Sequence, residues 1–383
     1  MNDALKEIRG FFVSLKLTIV LLALSILLIF WATLDQVHLG VWAVQQKFFH
    51  SFMVWEKLGG IQVPVFPGGY LIGGLLLVNL VAAHLFRLTP RWRKAGIWIT
   101  HAGLILLLMG ELVSGLVQKD FQMRIDEGET KNFSESLRLN ELAIIDTTDP
   151  RTDTVVAIPE SMLARSEVVQ NPKLPFRVVP KGYYANAVVA MRSQVPSAPP
   201  SPANRDMGAM VVAVPMEVTY QEDAHNNPAA YVELDGPDGS LGTWIVSTQL
   251  GNPQKFEYAG RTWKIVLRPT RSYHPFSLTL EKFTHDVYPG TDIPKNFSSK
   301  VRIDAPGGGA GREVLIYMNN PLRYSGLTFY QASFDNNDHT TILQVVRNPS
   351  WLVPYISCGA ITLGLVIEFM THLVGFMGKR RRS

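Results

Sequence analysis

Residues 70–117 read YLIGGLLLVNLVAAHLFRLTPRWRKAGIWITHAGLILLLMGELVSGLV, two apolar runs joined by a short basic loop. At 1.5 Å per helical residue, each run is about long enough to cross a bilayer core of roughly 30 Å. Each also carries one histidine near the loop: His84 lies three residues before Arg87, and His101 five residues after Gly96. An antiparallel helical hairpin therefore sets both imidazoles about one to two turns inside the membrane face that bears the loop. Four cations, Arg87, Arg91, Arg93 and Lys94, lie beside them. Two imidazoles at matched depth next to a cationic loop predict a site for a flat, iron-containing dianion, and haem is the molecule of that description.

Working outward, further apolar runs fall at Leu17–Leu34 and Trp351–Phe369, giving four predicted spans with Tyr70–Phe86 and Ile97–Val117. Hydrophobic residues make up 47% of the 383 and charged residues 18%, a balance that suits a chain part membrane and part water-soluble. Ala32-Thr33-Leu34-Asp35 makes a poor cleavage site, so the first run reads as a retained anchor. Residues 119–350 hold no comparable run and are long enough to bury a core of their own. The predicted organisation is a three-helix membrane region over 1–118, an extracytoplasmic β-rich domain over 119–350, and a last span with a basic tail over 351–383.

Charge orients the spans, because cytoplasmic loops are enriched in Lys and Arg. Lys6, Arg9 and Lys16 precede the first span, four cations fill the loop before the third, and Lys379-Arg380-Arg381-Arg382 follow the fourth. The loop between the first two spans has only Lys47 and Lys57. Both termini are thus expected in the cytoplasm of a plasma (inner) membrane protein, with the large domain on the outer, periplasmic side. The net charge of +4 follows from this bias and implies no nucleic-acid partner. The single cysteine, Cys358, lies in the fourth run, so the large domain has neither disulfide nor Cys-x-x-Cys-His haem attachment site.

In the first loop, FFHSFMVWEKLGG (48–60) is expected to be a helix at the outer interface, where Trp is favoured. Beyond Val117 the pattern changes to alternation: FQMRIDEGE, LRLNELAIID, TDTVVAIPE, and later AAYVELD, GTWIVSTQ, RTWKIVLRP and FSLTLEKFTHDV. Gly236-Pro237-Asp238-Gly239 and Ala259-Gly260 mark hairpin turns, and 306–311 a looser one. The pattern predicts a mainly antiparallel β-domain, sandwich or open barrel.

Two stretches near its end are more distinctive: Tyr288-Pro289-Gly290-Thr291, and the run from Tyr317 to Phe334 that contains Asn320-Pro321-Leu322 and Phe329-Tyr330-Gln331. With the histidine that opens the third span and the four-span layout, these resemble the ResB family of cytochrome c biogenesis proteins, in the pathway called System II. The resemblance, taken over essentially the whole chain, implies a subunit that works with a ResC/CcsA-type membrane protein. Together they would carry haem b outward, non-covalently and in transit, and attach it to Cys-x-x-Cys-His of exported apocytochrome c. The partner's tryptophan-rich motif is absent from this sequence, which implies one half of a synthase.

The resemblance places a haem-related histidine in the third span, and His101 holds that position; an ionisable side chain within a span is usually functional or paired. The competing role for His101 is a helix–helix hydrogen bond, to Asn79 or Thr100. His84 enters as the second iron ligand on depth alone, against a histidine that snorkels to water. His372 is a similar case. Arg87, Arg91 and Arg93 are candidates for the haem propionates, since Arg pairs well with carboxylates, against a purely topogenic role. In the large domain His225, His274, His285 and His339 are scattered and read as ordinary strand or surface residues. No acid, base or nucleophile stands out, so the chain is expected to be a non-catalytic or co-catalytic subunit. Two other classes stay open: a b-type electron-transfer subunit holding haem between His84 and His101, and a haem-free membrane scaffold.

Overall fold

A computed structural model describes residues 2–88, 92–198, 200–219, 226–291, 294–305, 307, 311–336 and 338–380, with 2–4, 93, 294 and 378–380 described by their backbone alone. The chain divides into two units, one formed by Met1–Lys119 with Arg347–Ser383, the other mainly by Asp120–Thr219 and Ala224–Val346.

The first unit is helical. An amphipathic α1 (Asn2–Phe12) leads into α2 (Leu15–Val44), which breaks helical geometry at Gly40 (φ 76°) and continues as a short π-type turn, Gln45–Phe49. Next come β1 (Met53–Leu58) and β2 (Ile61–Pro67), then α3 (Gly69–Phe86), a 3₁₀ turn at Trp92–Lys94 and α4 (Ala95–Val117). After the short α5 (Glu160–Ala164) of the other unit, α6 (Val353–Arg380) closes the set. Among the described residues four helices are long and apolar enough to cross a membrane, at Leu15–Phe49, Gly69–Phe86, Ala95–Val117 and Val353–Met377. Ile26, Phe30 and Phe369 are each more than 60% exposed, as side chains facing lipid are.

Of the interfacial helix expected over 48–60, only Phe48 and Phe49 are helical, closing the π-type turn, and from Met53 onward the chain is a β-hairpin. Gly59 and Gly60 both take positive φ (59° and 88°), the two-residue turn whose twist matches that of paired strands. With Trp55 opposite Pro64 and Lys57 opposite Gln62, the Gly-Gly pair and the branched residues of β2 outweigh the helical look of the preceding aromatics. The hairpin packs Val54 into a core with Phe48, Leu28 and Ile72, where Trp31 meets Phe48 edge-on at 5.4 Å.

Two devices hold the helices together. Buried Asn79 of α3 accepts from Thr18 Oγ1 (2.6 Å) and donates through Nδ2 to the carbonyls of Phe12 (2.6 Å) and Ser14 (3.2 Å), tying down the α1–α2 corner. Gly96, Gly103 and Gly110, seven residues apart, form a buried stripe on α4 against α6. A Cβ at Gly96 would lie 2.6 Å from the Gly364 carbonyl, one at Gly103 would lie 2.8 Å from Ile361 Cγ1, and one at Gly110 would strike Val353. Small residues let the two backbones approach, the usual basis of helix association in lipid.

The second unit is antiparallel throughout its assigned registers. Its strands are β3 (Lys119–Asp126), β4 (Thr130–Asp146), β5 (Thr154–Pro159), β6 (Arg177–Tyr184), β7 (Ala187–Met191), β8 (Val211–Pro215), β9 (Ala229–Gly236) and β10 (Gly239–Ser247). There follow β11 (Gln254–Tyr258), β12 (Arg261–Val287), β13 (Pro294–Asp304), β14 (Arg312–Tyr317), β15 (Leu322–Tyr324), β16 (Leu327–Asp335) and β17 (Thr340–Arg347). A ten-stranded sheet runs β14-β13-β12-β4-β3-β17-β16-β15, with β11 on β12 and β5 on β4; β10-β9-β6 and β7-β8 form two smaller sheets. RTWKIVLRP and FSLTLEKFTHDV, separate strands by pattern, are one strand, β12, which bends at register breaks around Pro269 and Tyr273. Its first half puts Trp263, Ile265 and Leu267 into a core with Leu142, Val232 and Trp244. Its second half puts Phe276, Leu278, Leu280 and Phe283 into another with Met123, Ile303 and Phe329. Four membrane helices and a large antiparallel β-unit are the predicted fold class.

Candidate functional site

His84 sits two residues from the end of α3 and His101 in the second turn of α4, so the connection that joins the helices brings both to one end of the pair. Their ring centroids are 6.5 Å apart, with planes at 29°. Trp98, one turn before His101, sets its ring against His84 with centroids 3.9 Å apart and planes at 60°.

The two histidines are held differently. His101 Nδ1 lies 2.9 Å from the carbonyl oxygen of Ile97. A carbonyl only accepts, so Nδ1 carries the proton and donates it, and in the neutral ring the lone pair lies on Nε2. His84 is buried, and its Nδ1 meets no hydrogen-bond partner among the described residues. Trp98 Nε1 is buried without a partner as well. An unpartnered buried polar atom is costly and is rare in a purely structural position. Two imidazoles, one with its ring held by a backbone carbonyl and one with an orphaned nitrogen, form a donor set of the kind that binds haem iron. In chemical type the residues fit such a group.

The alternative partners for His101 are engaged elsewhere: Asn79 with Thr18, Phe12 and Ser14, and Thr100 Oγ1 with the Gly96 carbonyl at 2.9 Å. Arg87 caps the C-terminal end of α3 and is exposed. Arg91 and the Arg93 side chain lie outside the described residues. His372 is not part of the pair; it is exposed on α6, with Nε2 3.0 Å from Glu368 Oε1.

Two residues near this end escaped the sequence reading. Trp98 is three positions before His101, on the same helical face, and that spacing was its available signal. Glu368 is a lone carboxylate in the last span; it packs against Gly96, and its Oε2 is buried without a partner among the described residues. In the β-unit, His274 is half-buried with Nε2 3.1 Å from Ser134 Oγ, and burial pushes its pKa below the usual imidazole range. His225 lies outside the described residues.

The ResB-like family model matches residues 259–345, the stretch from the β11–β12 turn to β17. Protein NrfI of Wolinella succinogenes is 37% identical over 92 residues, 24% of this chain and 10% of that protein. Cytochrome c biogenesis protein CcsB of Synechococcus sp. is 37% identical over 78 residues, 20% of this chain and 17% of that protein. The aligned stretch therefore spans less than a fifth of either relative. The family match includes Tyr288-Pro289-Gly290-Thr291 and the run from Tyr317 to Phe334, the two motifs on which the resemblance was first drawn. Over residues 259–345 this chain is similar to the ResB-like family.

Proposed function

We propose that this chain is a membrane subunit of the machinery that matures cytochrome c, and that it takes haem as cargo at His84 and His101. The observation that carries the reading is the pair of imidazoles 6.5 Å apart on adjoining helices, with His101 locked on Ile97 as the Nδ1–H tautomer. The similarity to CcsB, a cytochrome c biogenesis protein by name, supports the same assignment. The iron supplies two axial positions for nitrogen ligands, which is what the pair offers. His101 acts through Nε2 while the Ile97 carbonyl holds its ring. Trp98 bounds the His84 ring, and Arg87, exposed at the membrane face, pairs with a propionate.

Basic residues before the first span, between α3 and α4 and at the end of the last span support a topology with both termini and the pair on the cytoplasmic side and the β-unit on the outer side. Haem then passes outward with a ResC/CcsA-type partner, and the thioether-forming step on apocytochrome c falls to that partner. A reporter enzyme inserted within 194–198 should be active outside the cytoplasm, and one inserted at Arg87 inside.

The decisive experiment is His101→Ala in cells that make the partner and an exported apocytochrome c. Holocytochrome c should be lost while the protein still inserts, and added imidazole should restore haem and part of the maturation. Normal holocytochrome c in a well-expressed His101→Ala strain overturns the reading. The close bis-imidazole spacing also favours a second reading, a resident b-type haem for electron transfer; haem that is stoichiometric and does not exchange would select it.

A further inference from the structure

α1 carries an apolar face that the rest of the described chain leaves uncovered. At about 100° per helical residue, Leu5, Ile8, Phe11 and Phe12 fall within an arc of about 120°, the width of the buried stripe of a surface helix. Leu5, Ile8 and Phe11 are nevertheless each more than half exposed, while Phe12 is partly buried and meets Phe11 edge-on at 5.3 Å. Lys6, Glu7, Arg9 and Gly10 occupy the rest of the circumference. Three large apolar side chains bared in one row mark an interaction surface.

Position and length identify the partner. Asn79, which holds the carbonyls of Phe12 and Ser14, lies about two turns, roughly 10 Å, before Phe86 at the end of α3. The Arg9 guanidinium lies 5.7 Å from the centroid of the Phe86 ring, at that end itself. α1 is thus seated at the membrane face that carries the loop to α4. Its 11 residues extend about 16 Å, half of a bilayer core of roughly 30 Å, so it cannot span. Beyond the corner, Leu15, Ile19, Leu22 and Ile26 form a like row along α2, each at least half exposed, where the surroundings of a span are acyl chains. Lys6, Arg9, Lys16, Arg87 and Lys94 gather at the same end, against Asp3 and Glu7, and cations favour the level of the headgroup phosphates.

We propose that α1 is an interfacial helix, lying at the membrane face beside α3 with Leu5, Ile8 and Phe11 set among the acyl chains of the leaflet. A short helix with a sharp apolar face, a charged opposite face and too few residues to span binds lipid in this way. The leaflet is then a partner of the chain at the end of α3 where His84 sits. It holds that end through α1, because the Asn79 bonds and the Arg9–Phe86 contact join the anchored helix to α3. Nothing in this contact depends on what the histidines bind.

The test uses the full wild-type chain in nanodiscs of phosphatidylcholine and phosphatidylglycerol, doped with a phosphatidylcholine that carries a diazirine on its acyl chain. After irradiation, mass spectrometry should map lipid adducts to Leu5, Ile8 and Phe11 as well as to Ile19 and Ile26 of α2. Adducts on α2 with none on α1 refute the proposal. A second measurement attaches a spin label to Ile8→Cys or to Lys6→Cys, each in a Cys358→Ser background. The label at position 8 should be reached by oxygen and shielded from a water-soluble nickel complex, and the label at position 6 should show the reverse. If the nickel complex reaches position 8 freely, α1 lies in water and the proposal fails. If position 8 is shielded from both reagents, protein covers it, whether a second copy or another chain, and the proposal fails as well.

Discussion

The imidazole of His84 and the indole of Trp98 meet with centroids 3.9 Å apart, and each ring presents a buried nitrogen without a partner among the described residues. Two orphaned polar atoms in one contact inside a membrane unit are a stability cost that a phenyl or leucyl side chain would avoid.

That cost sets the first expectation. His84→Phe fills the same space without the unsatisfied nitrogen, whose burial costs about 1–3 kcal/mol. The thermal midpoint of the purified variant should equal or exceed that of wild type while holocytochrome c formation falls. A clear drop in midpoint would mark His84 as a structural residue and remove it from the site.

The glycine stripe of α4 should be graded by what each new methyl meets. At Gly96 a Cβ faces backbone, the Gly364 carbonyl at 2.6 Å and the Glu368 amide at 2.7 Å, and neither can rotate away. At Gly110 it faces the Val353 side chain, which can. Gly96→Ala should therefore cost about 1–3 kcal/mol, and Gly110→Ala less. Gly73→Ala on α3, where nothing lies within 4 Å, should gain up to about 1 kcal/mol from helix propensity. Thermal midpoints of the three variants check the order.

Arg268 and Glu141 face each other across β12 and β4, both nearly buried, with Nε donating to Oε1 at 3.0 Å. Glu141→Leu leaves the guanidinium uncompensated and should destabilise the β-unit by about 3–5 kcal/mol. The pair of changes Glu141→Leu with Arg268→Met should recover most of that loss. Denaturant midpoints of single and double variants measure the coupling.

Burial lowers the His274 pKa from its ordinary value of 6.5. The unfolded chain therefore takes up the proton first. The stability contributed by neutral His274 is complete above about pH 6.5 and is lost as pH falls from there through the folded value. His274→Gln, which keeps a partner for Ser134, should flatten the stability–pH curve over that window. An unchanged slope in urea melts between pH 7 and 5 would exclude this contribution.

Much of the molecule is decided by features a few residues long. Hydropathy over about twenty residues determined the four spans, because lipid demands that every backbone group be satisfied within the helix. Alternation and the Gly236–Gly239 and Ala259-Gly260 turns determined the hairpins that join β9 to β10 and β11 to β12. The matched position of His84 and His101 beside the loop was equally local. What the tertiary structure decided depends on partners distant in the chain. Residues 48–60 turned on Gly59-Gly60 and on a strand not yet reached. β12 became one strand because β4 and β13 pair along its length. The 6.5 Å spacing of the imidazoles follows from the way α3 packs on α4, and the glycine stripe acquired its meaning only when α6 returned to cover it.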